Sequence, residues 1–367
     1  MRLDFENKKS VNEILDEAEN FSFRKKTDFN KSLLLYGDNF CGLSFLLKNG
    51  YENKIDLVYI DPPFNTNQKF FISETRCNSI SKSSQGLLAY HDNFSLDEYL
   101  EFMRERFVLI YKLLSDKGSL YTHIDIKMGH YLKILLDEIF GIENFKNDIT
   151  RIKSNPKNFD RKAYGNEKDI ILFYTKNHKN NIWNNVRMSL RQKEIEKRYP
   201  KTDKIGRYTT IPLHAPGSTL NGPTGKEWKG MLPPEGRHWR TDPKQFDILD
   251  EKGLIEWSPT GNPRIKKYVK DHKGKKVQDI WEYKDPQYPN YPTQKNQKMI
   301  EFIIKQSSNE DSIVLDCFAG GGTTMLACEN TKRKWIAIDQ SKQSIDVIKN
   351  NLGSSSGYNY IDLNELK

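Results

Sequence analysis

Asp61-Pro62-Pro63-Phe64 follows an apolar run, Ile55-Asp56-Leu57-Val58-Tyr59-Ile60, that reads as a buried strand. The four residues join a carboxylate acceptor, a rigid turn and an aromatic face in one place. That combination can hold a flat, amino-bearing ring and engage its exocyclic nitrogen. A four-residue match is weak by itself, so its surroundings have to carry the reading.

A second chemical segment lies far downstream. Ile313-Val314-Leu315-Asp316-Cys317-Phe318-Ala319-Gly320-Gly321-Gly322-Thr323-Thr324 reads as a strand, a glycine turn and a helix start. Glycines let a ligand pass close to the backbone, and a helix N-terminus offers unpaired N–H groups to a carboxylate or phosphate. The alternative is a plain strand-to-helix connection. No Lys-Ser/Thr follows the glycines, so the turn is not a P-loop. The third glycine of a dinucleotide fingerprint would fall at Met325, so that pattern fails too. The next strand ends at Asp339, where a carboxylate can receive a ribose diol. One nucleoside with a carboxylate tail and no pyrophosphate describes S-adenosylmethionine.

The elements that must position these groups alternate. Helical spacing covers residues 11–21, and strands are expected at 33–36, 55–60, 118–125, 170–174, 312–316 and 335–339. Ser95-x-x-Glu98 is a capping box opening a helix with Tyr99, Met103, Phe107 and Ile110 on one face. Further helices are expected at 129–140, 296–307 and 323–330. The rhythm implies an α/β fold, a doubly wound, mainly parallel sheet. Residues 66–94 are polar and read as a mobile loop, in which Lys69, Phe70 and Phe71 are candidates to close over a bound ring. From Lys201 to Asp285 the chain is dense in Pro, Gly and Trp and reads as an inserted, loop-rich, partly β domain. The expected organisation is 1–177, an insert at 178–284, and 285–367.

Charge sharpens this division. The chain of 367 residues carries a net +9, and residues 178–284 hold 23 Lys+Arg against 13 Asp+Glu. The whole basic excess therefore lies in the insert, with five of the six tryptophans. A solvated surface is one explanation. A polyanion partner is the other, because phosphate neutralisation releases counterions and aromatics stack on bases. The four cysteines lack C-x-x-C spacing and the seven histidines lack metal-site spacing, so reduced thiols and no metal are expected. Mean hydropathy is −0.76 and no run has the length of a membrane helix, so a cytoplasmic protein without a membrane partner is expected.

Together these residues resemble the amino-group DNA methyltransferases, which methylate adenine N6 or cytosine N4. Asp61-Pro62-Pro63-Phe64 with Asn65-Thr66 looks like the catalytic motif of the adenine-N6 members. Phe318-x-Gly320-x-Gly322 looks like their cofactor motif, and Tyr291-Pro292-Thr293-Gln294-Lys295 like the segment before it. Catalytic motif, basic insert, cofactor motif is the order of the β group, a circular permutation of the S-adenosylmethionine-dependent methyltransferase fold. The insert, from Pro212–Gly217 through Gly236–Trp239 to Asp279–Trp281, is similar to a bacterial subset of site-specific methylases.

The resemblance implies catalysis by Asp61, Pro62, Pro63 and Phe64 on a base flipped out of duplex DNA. It implies S-adenosylmethionine bound by Asp38 (adenine), Asp339 (ribose), Phe318, Ala319 and Gly320, with Thr293 and Lys295 near the methionine end. Asp316, Gly322 and Thr323 complete that set. Asp38 also reads as a turn residue, and Asp125 as a helix cap rather than a site residue. Asn296 and Cys317 both stand where the family usually has Pro. The first loses some preorganisation of the following helix, and the second reads as a structural thiol. A bacterial restriction-modification or epigenetic role follows, with a homodimer and an accompanying restriction endonuclease left open. Cytosine-N4 methylation is the nearest alternative, and a catalytically silent DNA-binding subunit is the alternative of another class.

Overall fold

Short runs rich in Val, Ile and Leu suit strands buried on both faces, and here such runs meet in one sheet. The computed structural model describes residues 2–23, 31–64, 69–72, 87–91, 94–155, 162–219, 221–286, 294–353 and 357–366, with side chains outside 69–72 and 87–91. The contacts divide the chain into two compact units, 1–186 with 278–367, and Arg187–Val277.

In the larger unit nine strands form the sheet among the described residues. Along the chain they are β1 (Ser32–Tyr36), β2 (Ile55–Ile60), β3 (Leu114–Ile124), β4 (Phe145–Ile152), β5 (Lys168–Thr175), β6 (Ile280–Glu282), β7 (Ile313–Asp316), β8 (Lys334–Asp339) and β9 (Tyr358–Asp362). Their spatial order is β6-β4-β5-β3-β2-β7-β8-β1-β9. Only β5 runs against its neighbours, β3 and β4; every other pair is parallel. The permuted order is visible here. β7 and β8 come late in the chain yet lie between β2 and β1, so the carboxyl ends of β1, β2, β7 and β8 share one edge. Open parallel sheets bind ligands at that edge.

The helices of this unit are α1 (Val11–Glu19), α2 (Asn39–Lys48), α3 (Leu96–Leu113), α4 (Ile126–Phe140), α5 (Gln297–Ser307), α6 (Thr323–Thr331) and α7 (Lys342–Leu352). The capping box forms as expected: Glu98 N donates to Ser95 Oγ at 3.3 Å and Ser95 N to Glu98 Oε2 at 2.8 Å. Tyr99, Met103, Phe107 and Ile110 of α3 are buried in the core. Asp125 is the cap of α4, accepting from Lys127 N and Met128 N at 3.0 Å each. Asn296 corrects an expectation. It is the residue before the helix, not its first turn, and its side chain accepts from Met299 N at 3.3 Å. It therefore supplies an N-cap, which suits Asn well.

Residues 66–94 hold more structure than a polar loop. Lys69–Ile72 and Leu87–His91 pair as an antiparallel hairpin, consistent with the β-prone runs Phe70-Phe71-Ile72 and Leu87-Leu88-Ala89-Tyr90.

The smaller unit has a four-stranded antiparallel sheet in the order Ile255–Trp257, Pro263–Tyr268, Gly206–Pro212, Lys201–Asp203. A short ribbon pairs His214–Pro216 with Arg237–Trp239. Its core gathers Leu213, Trp228, Trp239, Phe246, Ile255 and Ile265. Both indoles there are satisfied, Trp228 Nε1 by Asp247 Oδ1 at 2.8 Å and Trp239 Nε1 by the Lys226 carbonyl at 2.7 Å. The tryptophans of the insert fall into two groups. Trp228, Trp239 and, in the larger unit, Trp281 are core residues, while Trp183 and Trp257 are exposed. Most of these rings build the fold and are not free to stack on bases.

Candidate active site

The carboxyl edge of the sheet opens into a cleft of about 410 Å³ in the larger unit, a size suited to one small ligand. Asp38 follows β1, Asp61 and Pro63 follow β2, Asp316 ends β7 and Asp339 ends β8. All line this cleft, as do Lys295, Phe318, Ala319, Gly320 and Thr323. Pro62 is buried, and Phe64 packs against the core with its ring 6.2 Å from that of His123. Thr293, Asn65 and Thr66 lie outside the described residues. So do the side chains of Lys69, Phe70 and Phe71.

At the β2 end the chemistry centres on Asp61. Its Oδ2 pairs with the Lys295 ammonium. Its Oδ1 is buried and receives no hydrogen bond among the described residues. A buried acceptor without a donor is costly unless a ligand supplies one. Tyr99 on α3 donates to the Pro63 carbonyl at 2.7 Å and fixes the turn. Lys295 Nζ also lies 5.3 Å from the centre of the Phe64 ring.

Behind Asp61 runs a buried polar chain. The Tyr59 hydroxyl is 3.0 Å from His123 Nδ1, and His123 Nε2 is 3.3 Å from Asp169 Oδ2. Lys153 Nζ reaches Asp169 Oδ1 at 2.6 Å, and Arg151 Nη1 reaches Oδ2 at 3.5 Å. Burial depresses the His123 pKa against the opposing pull of Asp169. The hydrogen bonds and attraction of His123 and Lys153 hold the Asp169 carboxyl well below the usual range, against its desolvation. A neutral His123 that donates from Nε2 to Asp169 must use Nδ1 as an acceptor, so Tyr59 donates to it.

The other end of the cleft is built by the glycine turn. Asp316 accepts from Thr324 Oγ1 at 2.6 Å and Phe318 N at 3.0 Å. Burial outweighs these bonds and pushes its pKa up to about 7. Asp339 accepts from Gly320 N and Ser341 N, each at 2.8 Å, and burial raises its pKa. The turn is thereby tied to the end of β8. Gly322 does not line the cleft. It has φ +81°, and a Cβ there would stand 2.8 Å from Ile348 Cγ1 on α7, so packing and backbone conformation both demand glycine. Asp38 caps α2, accepting from Cys41 N at 3.0 Å, and also lines the cleft. Cys317 is buried, and burial raises its thiol pKa well above the ordinary value, so it is an inert packing group.

Arg106, Phe102, Phe94, Tyr59, His123 and Asp169 were not anticipated. The Arg106 guanidinium stacks on Phe102 at 3.7 Å, donates from Nε to Asn39 Oδ1 at 2.8 Å and pairs with Asp38 at 3.3 Å. Phe102 in turn lies 6.1 Å from Phe318, giving the cleft an aromatic wall. One signal was present for Arg106: it shares the helical face of Met103 and Ile110, where a cation is out of place unless partnered. The cavity, the glycine turn and the aromatic wall fit one nucleoside-bearing cofactor, and the Asp61 oxygen beside it is an acceptor without a donor among the described residues.

The chain is similar to known proteins over most of its length. The family model N6/N4 Mtase, DNA methylase, matches residues 55–350. Type II methyltransferase M.EcaI of Enterobacter cloacae is 41% identical over 352 residues, covering 92% of this chain and 75% of that protein. The StyLTI type III Mod subunit of Salmonella typhimurium is 27% identical, covering 96% of this chain and 58% of its own length. Among solved structures, the M1.HpyAVI-SAM complex aligns with TM-score 0.46 and 18% identity, over 87% of this chain and 99% of that one. The cytosine-N4-specific PvuII DNA methyltransferase aligns with TM-score 0.47 and 14% identity, over 94% and 93%.

Proposed function

This chain belongs to the N6/N4 amino-group DNA methylase family, and we propose that it methylates adenine N6 within a specific duplex DNA sequence. S-adenosylmethionine supplies the activated methyl group. The observation that carries the reading is the buried, undonated Asp61 Oδ1 at the mouth of a nucleoside-sized cleft.

An adenine amino nitrogen is a poor nucleophile because its lone pair is delocalised into the ring, and in a duplex it is out of reach. The base is flipped into the site. Asp61 Oδ1 and the Pro62 carbonyl accept the two amino hydrogens and draw the nitrogen toward tetrahedral geometry. Lys295 holds Oδ2, so the free oxygen keeps one orientation. Positive charge developing on the nitrogen is stabilised by these fixed acceptors, and Phe64 stacks on the ring. Asp339 receives the cofactor ribose, Asp38 its adenine, and Phe318, Ala319, Gly320, Asp316 and Thr323 line its path. Thr293 belongs with Lys295 at the methionine end.

Adenine is chosen over cytosine because the motif opens with Asp, whereas the cytosine-N4 enzymes it resembles more often open with Ser. Intact Asp61, Pro62 and Phe64 favour an enzyme over a silent subunit. We assign target recognition to the basic 178–284 insert, flanked by the catalytic half at 1–177 and the cofactor half at 285–367. Relatives named as type II and type III modification enzymes support a role in restriction-modification.

The test is transfer of label from S-adenosylmethionine to bacterial DNA, followed by digestion to nucleosides. Label in N6-methyladenine is expected, and its loss in Asp61→Ala with cofactor affinity retained. Label in N4-methylcytosine overturns the base assignment, and wild-type turnover by Asp61→Ala overturns the mechanism.

A further inference from the structure

The smaller unit holds 21 Lys+Arg against 11 Asp+Glu, but its cations are not deployed alike. Lys201, Lys229, Lys266 and Lys275 are each paired with a carboxylate: Glu256, Asp250, Asp203 and Glu194. Arg237, Arg240 and Arg264 form no ion pair among the described residues. They nevertheless gather around one short stretch, Pro212–His214.

Each guanidinium is held by a neutral group. Arg240 Nε donates to the Pro212 carbonyl at 2.9 Å. Arg264, opposite Pro212 in the antiparallel sheet, donates to Thr210 Oγ1 at 2.9 Å and the Thr210 carbonyl at 3.0 Å. Arg237 Nη1 meets His214 Nδ1 at 3.3 Å. The charges of all three depress the pKa of His214, after burial the largest causes. His238 on the same ribbon is engaged by the Gly217 carbonyl at 2.7 Å.

Anchoring through neutral acceptors orients a guanidinium without neutralising it, and leaves N–H groups for a further acceptor. Three like charges kept together without an ion pair among the described residues repel one another, although Glu256 stands opposite Arg264 in the sheet, and an anionic ligand offsets that repulsion. Arg237 and Arg240 are exposed, Arg264 half-buried.

We propose that the His214–Pro216/Arg237–Trp239 ribbon, with Arg264 beside it, is a phosphate-binding element that docks the DNA backbone and reads no bases. The proposal rests on the methylase reading. Contacts to phosphate set position and register, while sequence is read elsewhere in the insert.

The test compares the full-length wild type with Arg237→Ala, Arg240→Ala, Arg264→Ala and Arg240→Lys. Affinity is measured between 50 and 200 mM salt for a methylatable duplex and for one lacking the site. Each Ala variant is expected to lower the slope of log affinity against log salt by about 1 and to weaken both duplexes by the same factor. Arg240→Lys, which keeps a point charge, retains most of the affinity. Unchanged slopes in all three Ala variants sink the proposal, and so does a loss confined to the methylatable duplex, which means base reading. A wild type that binds DNA with these slopes but transfers no methyl group removes the methylase reading and leaves the ribbon standing. A wild type that binds no DNA removes both.

Discussion

Lys295 and Asp61, 234 residues apart in sequence, meet as a direct ion pair at the carboxyl edge of the sheet. Their side chains are 8% and 18% exposed. Taking one partner from a pair this buried leaves an uncompensated charge, at a cost on the order of 3–5 kcal/mol. Lys295→Met is therefore expected to lower the unfolding midpoint substantially and to slow methyl transfer, since Asp61 loses its fixed orientation. Asp61→Asn in the Lys295→Met background removes the stranded charge. That double variant should recover most of the stability and none of the activity. Equal denaturant midpoints for the wild type and Lys295→Met would show that the pair holds nothing together.

Asp316 gives a pH signature of definite sign. Burial raises its folded-state pKa to about 7, above the unfolded value near 3.8. Between those values the folded protein keeps a proton that the unfolded chain has lost. The wild type is thus penalised progressively as pH rises from about 4 to 7, by roughly 4 kcal/mol in total, and the penalty is constant above that. Asp316→Asn has no such penalty. Its stability relative to the wild type is expected to improve between pH 4 and 7 and then level off, whatever fixed offset the lost bond from Phe318 N introduces. Urea unfolding of both proteins at pH 5, 6, 7 and 8 measures this. A difference independent of pH rules out the raised carboxyl.

These groups were unequally visible in the sequence. Asp61, Asp316 and Asp339 each end an apolar strand, and parallel topology carries strand ends to one edge, so local pattern sufficed to find them. Gly322 was found by motif, yet its environment is the α7 residue Ile348, a packing partner no local pattern identifies. The tryptophans misled for a related reason. Aromatic composition does not distinguish a ring that stacks on a ligand from one that closes a small core, and only the contacts of Trp228 and Trp239 with Phe246 decide it. The hairpin at 69–72 and 87–91 was hidden by the Ser/Asn-rich residues between its strands. His123 and Asp169 were beyond reach because β5 is antiparallel. Its first residues therefore lie beside the carboxyl end of β3, and Ile124 pairs with Ile170.

The Tyr59–His123–Asp169 chain makes the last prediction. Tyr59 lines the cleft beside Asp61, and the Asp61 charge is among the causes, after burial, that raise the Tyr59 pKa. His123 Nδ1 accepts the hydrogen bond of that hydroxyl at 3.0 Å and stands 3.9 Å from Asp61 Oδ1. While His123 accepts that bond, the hydroxyl leaves Asp61 Oδ1 without a donor, as the proposed reaction requires. Without His123, the Tyr59 hydroxyl has the charge of Asp61, which it already senses across the same cleft, to turn to as an acceptor. A hydrogen bond to a charged group is worth about 1.5–3 kcal/mol, so His123→Leu should slow single-turnover transfer by roughly 10- to 100-fold, with cofactor affinity little changed. Tyr59→Phe in the His123→Leu background removes the competing donor and should restore much of that loss. A purely structural role for His123 predicts no such rescue. A double variant as slow as His123→Leu alone would return this chain of side chains to a matter of packing.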